Sequence, residues 1–492
     1  MMDRLFTGVP GLDDVLAGGL PTGQMYLLQG YPGTGKTTVA MQFMLAGVRA
    51  GEKSLYITLS EPRKELLASA ESHGFDLSQV PIVEFLPDEG ALSPDSQYTV
   101  FHPAEVELAD TVNRLLAEVE KHNPSRLVID SLSELRLLAS DKIRYRRQVV
   151  AFKHFLADRG ITALFLDDCS TDGDDLQLQS IAHGVILLTR LPRSFGVIRR
   201  QLEILKLRGS SFREGTHDFA IVRGGIVVYP RLVASEHEND FPQEHVKSEI
   251  AELDAILGGG LNRGTSVLIT GPTGVGKSSI SLQYAIAAAK RGERAIVYSF
   301  DEVLSSTILR AEGLGLDIRH VMGQSHLAMT QVDPAELSPG EFVWQIRKDV
   351  EEHDTRFVVI DSLNGFLSAM AGERDLVLQL HELLSFLSQK GVVTIIILTQ
   401  HGLVGTMNSA VDVSYLADTV ILLRYFETGA QIHQAISVLK KRIGQHERTL
   451  RELKFSSCGI AVSEPLTNFK GILTGTPEFL DNHVPLESES RV

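Results

Sequence analysis

The chain has 492 residues, 43% of them hydrophobic and 22% charged, with a formal net charge of −15. That length exceeds one ordinary core and calls for at least two domains, while the balanced composition excludes disorder, collagen-like repeats and a disulfide scaffold. The acidic balance weighs against indiscriminate binding to nucleic acid or anionic membranes, and two cysteines, Cys169 and Cys458, are too few for a disulfide framework or a four-thiolate zinc site.

In chain order, residues 1–8 lack the apolar core of a signal peptide, which with the cysteine usage leads to an expectation of a cytoplasmic protein. An apolar strand expected over residues 24–29 then runs into Gly30-Tyr31-Pro32-Gly33-Thr34-Gly35-Lys36-Thr37, and a helical pattern follows over 38–50. Strand, glycine-rich turn, lysine, hydroxyl and helix in that order make a phosphate-binding loop. Glycines let backbone N–H groups converge on phosphate oxygens, the helix N-terminus adds positive potential, and the lysine reaches the outer phosphates. Gly33, Thr34, Gly35, Lys36, Thr37 and Thr38 are therefore expected to hold ATP, with the Thr37 hydroxyl on Mg²⁺.

Further strands are expected over 54–59, 126–129 and 162–166. Glu61 follows the first of these, where phosphate-loop enzymes place a group that orients or deprotonates the attacking water; the alternative is a solvated carboxylate capping the next helix. Asp130 ends the second strand. A parallel sheet presents its carboxyl edge to the ligand, so Asp130 can hold the metal through its water shell, although an aspartate ending a strand is also a common turn residue. Arg144, Arg146, Arg147 and Lys153 form a basic helical stretch that reads as a solvated face or an intersubunit contact rather than a nucleic-acid site.

Residues 234–244 are polar and acidic with one proline, the composition of an exposed linker. Beyond them the chain repeats itself. Residues 11–20 return as 252–261, and the phosphate loop returns as Gly271-Pro272-Thr273-Gly274-Val275-Gly276-Lys277-Ser278; Asp13 to Asp254 and Lys36 to Lys277 are both 241 residues apart. Gly274, Val275, Gly276, Lys277, Ser278 and Ser279 thus form a second ATP site, with Ser278 and Asp361 as the metal pair and Asp301 and Glu302 as candidates for activating water. Second-copy strands are expected over 265–270, 295–300, 357–360 and 392–398. The last contains the longest apolar run, which is too short to cross a bilayer. Alternation of short β-branched runs with helical patterns gives an α/β fold, a mostly parallel sheet flanked by helices, twice over. The expected domains are 1–233 and 247–477, joined by a linker at 234–246 and followed by a mobile tail at 478–492. The sixteen histidines show no metal-ligand spacing, and Trp344 lies in a helical pattern where packing is the default.

These residues together resemble the KaiC family of double-domain RecA-like ATPases, named for the cyanobacterial circadian clock protein, over nearly the whole chain. Leu205-Lys206-Leu207-Arg208-Gly209-Ser210 and Leu439-Lys440-Lys441-Arg442 look like that family's Lys-x-Arg element late in each domain. The resemblance implies two tandem RecA-like P-loop NTPase domains in a homo-hexamer with ATP at subunit interfaces, Lys206, Arg208, Lys440 and Arg442 reaching the nucleotide of a neighbour. It also implies serine/threonine autokinase activity in the second domain. Where the clock protein carries an adjacent Ser-Thr pair, this chain has Ser414-Tyr415, so Ser414 alone remains as a phosphosite. Where the clock protein has two consecutive glutamates, this chain has Ser60-Glu61 and Asp301-Glu302, which points to slower hydrolysis in the first domain. The tail after Pro477 is short for a KaiA-like activator; a KaiB-like or signalling-kinase partner is left open. The leading expectation is an Mg²⁺-dependent ATPase and autokinase in signalling or circadian-type timing. A nucleotide-gated scaffold with little turnover and a RecA-like DNA-dependent ATPase are the competing readings.

Overall fold

The computed structural model describes residues 3–85, 103–139, 142–169, 175–192, 196–236, 240–369, 376–400, 413–428, 430–467, 469–472 and 478–479. The chain divides into two compact units, Met1–Arg231 and Leu232–Val492.

In the first unit a nine-stranded sheet runs in the order Gly225–Tyr229, Thr216–Val222, Arg199–Leu207, Gly184–Leu191, Met25–Gly30, Thr162–Asp168, Arg126–Asp130, Ser54–Thr58 and Ile82–Glu84. From Gly184–Leu191 to Ile82–Glu84 every pairing is parallel, and the other strands add antiparallel. The second unit repeats this topology strand for strand, from Leu327–Gln331 through Arg294–Ser299, Thr355–Asp361, Val393–Thr399, Ser266–Gly271 and Thr419–Thr428 to the antiparallel Gln431–Lys441, Arg451–Ser456 and Gly459–Pro465.

The central strands are mostly apolar because both faces are covered. Along Met25–Gly30, Tyr26 and Leu28 enter one hydrophobic cluster and Met25 and Leu27 the opposite one. The helix Lys36–Arg49 packs Val39, Ala40, Met41, Phe43 and Met44 into the first of these, so the element that follows the glycine loop is anchored along its whole length. Its counterpart Lys277–Lys290 is anchored likewise through Ile280, Leu282, Tyr284 and Ile286.

The sequence reading identifies the four central parallel strands of each sheet and sets their ends one or two residues short of, or past, those observed; it misses the outer parallel strands Gly184–Leu191 and Ile82–Glu84 and their counterparts Thr419–Thr428 and Leu327–Gln331. It identifies none of the antiparallel extensions as sheet. In Arg199–Leu207 the charged Arg200, Glu203 and Lys206 alternate with buried Leu202, Ile204 and Leu207, a half-solvated pattern that sequence alone reads as polar. The stretch expected to be an exposed linker is in part packed. Ala234 is buried with its N–H donating to Glu382 at 3.1 Å, and the Phe241 ring lies 2.4 Å from where a Cβ on Gly264 would stand, so only glycine admits it. Residues 480–492 of the expected tail lie outside the described residues; Glu478–Phe479 pairs with Phe469–Lys470.

Arg126 begins a buried strand yet is only 2% exposed. Its guanidinium pairs with Glu52, donates to the carbonyls of Phe6 (2.8 Å) and Phe43 (3.2 Å), and lies 4.8 Å from the Phe43 ring centroid. Removing it leaves two carbonyls and a carboxylate without their donor. Arg126→Ala is expected to destabilise the first unit by about 3 kcal/mol, read as a lower urea midpoint for its unfolding transition.

Candidate functional site

At the carboxyl end of Met25–Gly30 the chain turns through Gly33 (φ 76°) and Gly35 (φ 104°); at the end of Ser266–Gly271 it turns through Gly274 (φ 79°) and Gly276 (φ 103°). These angles lie in the left-handed region that disfavours any side chain. Space excludes one as well. A Cβ on Gly276 would stand 2.0 Å from the Phe455 ring, and one on Gly35 2.9 Å from Ile226. Each helix starts on the next residue, so its unpaired N–H groups face the loop. Val275 is buried in the core and Thr34 is fully buried, its hydroxyl donating to the Tyr31 carbonyl at 2.8 Å; both line the turn through their backbone. Thr38 and Ser279 are buried in the first helical turns.

Lys36 and Lys277 are 9% and 6% exposed. Lys277 Nζ donates to the carbonyls of Gly271 (3.0 Å) and Pro272 (2.6 Å), folding back inside its own loop, and burial pulls its amine down to about 8. Lys36 makes the equivalent bonds to Gly30 (2.8 Å) and Tyr31 (3.2 Å) and adds an ion pair to Asp168 at 2.7 Å. Strand register puts Asp168 beside Gly30 and Thr399 beside Gly271, so the second site lacks this carboxylate. Asp168 therefore occupies, in the first site only, the charge that an outer phosphate would take.

Beside each loop stands a buried carboxylate with a hydroxyl. Thr37 donates to Asp130 at 3.2 Å and Tyr56 donates to the same oxygen at 2.6 Å, and Ser278 hydrogen-bonds Asp361. Burial is the main cause that raises both carboxyls above the usual range; Tyr56 and Thr37 pull Asp130 down in part, and Ser278 and Arg310 do so for Asp361. A buried acid short of positive charge, paired with a hydroxyl at the mouth of a phosphate loop, is the donor set that a hydrated Mg²⁺ shared with phosphate oxygens would take. Among the described residues no three His, Cys, Asp or Glu group to cage a metal alone.

In the second unit a cavity of about 340 Å³ opens between Thr273, Gly274, Gly276, Lys277, Ser278 and Ser279 on one side and Asp301, Glu302, Arg310, Asp361 and Thr399 on the other. Ser362 donates to Asp301 at 2.5 Å, and Arg310 pairs with Glu302 at 2.6 Å. Around Glu61 the environment differs. Its carboxyl is raised first by burial and then by the Asp130 charge, and the position matching Arg310 in the repeat is Ser69. Sequence reasoning missed both Asp168 and Arg310. The signal that exposes them is inequality between two copies otherwise in register.

Lys206, Arg208, Lys440 and Arg442 are not brought to their own phosphate loops. Register sets Lys206 beside Val185 and Lys440 beside Val420, level with Leu27 and Leu268 and three residues back from the loop, about 10 Å along the strand. In both units a bulge precedes the lysine, throwing out Leu205 and Leu439 and re-aiming the residues that follow. Arg208 donates to Ser180 O at 2.8 Å, and Lys206 binds the carbonyl of Gln179. Lys440 donates to the carbonyls of Ser414 (3.1 Å) and Ala417 (2.7 Å), Arg442 to Tyr415 O (2.7 Å) and Asp418 (3.1 Å). Ser414 thus lies at the sheet edge away from Lys277; residues 401–412 before it are outside the described residues. In the basic helix Lys142–Asp158, Lys153 donates to Ile181 O at 2.8 Å and Arg146 to Ser180 at 3.2 Å. No helix among the described residues is long and apolar enough to cross a membrane.

Two mostly parallel sheets of one topology, each with a phosphate loop at the carboxyl end of its central strand, define a tandem RecA-like P-loop ATPase. The chain belongs to the KaiC ATPase family, whose model matches residues 5–233 and 246–467. It is 28% identical over 490 residues to "Circadian clock protein KaiC3" of Synechocystis sp., covering 97% of this chain and 95% of that protein. It is 27% identical to "Circadian clock oscillator protein KaiC" of Acaryochloris marina, covering 96% of this chain and 91% of that one, and 26% identical to the protein so named in Synechococcus elongatus, covering 96% and 92%.

The lowered Lys277 amine has a measurable consequence. Phosphate selects the charged lysine, which is the main form of the empty site only below about pH 8. ATP affinity of the second site, measured with the first silenced by Lys36→Ala, is expected to be flat up to about pH 7 and to fall by up to about tenfold per unit above 8. Constant affinity from pH 7 to 9 would count against a buried lysine as phosphate ligand.

Proposed function

We propose that the chain is an Mg²⁺-dependent ATPase built from two ATPase domains, 1–233 and 247–477, that assembles through nucleotide into a homo-hexameric ring and transfers phosphate to its own serine. The observation that carries the reading is the duplicated set of glycine loop, buried lysine and hydroxyl–carboxylate pair. In each site the loop N–H groups of residues 33–38 and 274–279 bind phosphate oxygens, Lys36 and Lys277 grip the outer phosphates, and Thr37 with Asp130 and Ser278 with Asp361 would hold the metal. When bound, Mg²⁺ supplies charge neutralisation across the outer phosphates.

In the second site Glu302, with Asp301 beside it, takes the proton from water as the water oxygen attacks the γ-phosphorus. The bond from that phosphorus to the bridging oxygen breaks, and its electrons stay on ADP. Lys440 and Arg442 sit too far back along the sheet to serve their own loop, which supports a role on the nucleotide of the next subunit, where they stabilise charge in the transition state; Lys206 and Arg208 do the same in the first ring. Ser414 neighbours Lys440, so phosphorylation of Ser414 runs between subunits. The family and the relatives' names support a part in circadian-type timing; a KaiB-like protein or a signalling kinase is the partner that part would call for.

The Lys36–Asp168 ion pair favours a second reading for the first domain alone. With its lysine engaged and Glu61 as the lone acid of its loop, that domain serves chiefly as nucleotide-gated scaffold and turns over slowly. Glu61 then acts on water slowly rather than not at all.

Native mass spectrometry and phosphate release test both. The hexamer mass is expected only with Mg·ATP, and Lys277→Ala is expected to lower phosphate release by about 100-fold or to the first domain's residual rate. Label from γ-phosphate should map to Ser414 and vanish in Ser414→Ala. A monomer that binds ATP without assembling would contradict the ring, and absence of label with ATP bound would remove the kinase half.

A further inference from the structure

The second site holds a cation that neither its phosphate loop nor the trans element provides. Arg310 lies on the helix Leu304–Gly313, and its guanidinium reaches into the nucleotide cavity to meet Glu302 at 2.6 Å. Only part of its donor set is used there; its Nε–H is buried with no partner. It is also close enough to Asp361 for its charge to help hold that buried carboxyl down, which sets it near the metal pair. Both members of the ion pair are about one-third exposed, 33% for Arg310 and 31% for Glu302, so neither is locked by packing.

The pair poses a chemical problem for the reaction. A carboxylate bound to guanidinium has a lone pair tied up and is poorly placed to take a proton from water. A terminal phosphate group carries more charge than a carboxylate and offers three oxygens to the planar fork of an arginine. ADP lacks the terminal group that would meet the fork. The first site has serine at the corresponding position, Ser69, and no ion pair to Glu61 is found among the described residues.

We propose that Arg310 is a phosphate-sensing residue with two alternative anions, Glu302 in the empty second site and the γ-phosphate of bound ATP, so that triphosphate alone frees Glu302 to act on water. This rests on the reading of the second site as an ATPase centre. No proton or covalent bond changes in the switch itself; one ion pair is exchanged for another. The second domain thereby distinguishes ATP from ADP within a single subunit, before any cation arrives from a neighbour.

The test uses the full chain with the first site silenced by Lys36→Ala, titrated with Mg·ADP and with a non-hydrolysable Mg·ATP analogue, alongside single-turnover hydrolysis of ATP. Arg310→Met is expected to weaken the ATP analogue about tenfold, leave ADP within about twofold, and slow hydrolysis by tenfold or more. Arg310→Lys, which keeps charge and loses the fork, should restore part of the ATP preference. Glu302→Gln removes the competing anion, and should bind the ATP analogue several-fold tighter with ADP unchanged while abolishing turnover; a purely structural ion pair gives no such gain. Equal changes for ATP and ADP in Arg310→Met, or unchanged preference with unchanged hydrolysis, would overturn the proposal and leave the site reading standing. Failure of the Lys36→Ala protein to bind either nucleotide would overturn the site reading, and the switch with it.

Discussion

Each half of this molecule is arranged around a buried lysine at the positive end of a helix. Lys36 and Lys277 are less than one-tenth exposed, each donates to two backbone carbonyls of its own loop, and the N–H groups of the following helix face the same space. Burying an ammonium group is costly unless an anion compensates, and the helix end adds to the positive potential rather than offsetting it. The cradle is thus built to be completed from outside, by phosphate oxygens. Everything else in the site, from the glycines with left-handed backbone to the hydroxyl–carboxylate pair, depends on that deficit of negative charge.

The two halves answer the deficit differently. In the first, Asp168 supplies an anion to Lys36 from a neighbouring strand, so an incoming nucleotide must displace it. In the second, threonine stands in that place, the lysine has only carbonyls, and its amine is pulled down to about 8. The second half instead places its internal ion pair on Glu302, through Arg310. One fold used twice thereby carries its internal ion pair in different places: on the loop lysine in the first half and on the acid after the neighbouring strand, Glu302, in the second.

What could be read from the sequence follows the range of the interactions. The phosphate loops, Thr37, Ser278, Asp130 and Asp361 were legible because each sits at a fixed offset from a strand end, and because the repeat gave two independent instances of the same frame. The four central parallel strands of each sheet were legible as apolar runs covered on both faces, while the parallel strands flanking them, such as the three-residue Ile82–Glu84, were too short or too mixed to stand out. The antiparallel strands were not legible, since one solvated face makes them alternate with charge. Lys36 meets Asp168 across 132 residues, a contact that no local pattern encodes. Arg310 reaches the cavity through the pitch of a helix whose sequence looks like any solvated surface. The bulges at Leu205 and Leu439, which direct the Lys-x-Arg residues, depend on strand register and likewise have no local signature.

The central claim, that both halves hold nucleotide through a buried lysine, is tested most directly by counting. Equilibrium dialysis of the full chain with Mg·ATP should give two nucleotides per chain, one in either Lys36→Ala or Lys277→Ala, and none in the double variant. Undiminished uptake by the double variant, or no uptake by the natural chain, would contradict the account.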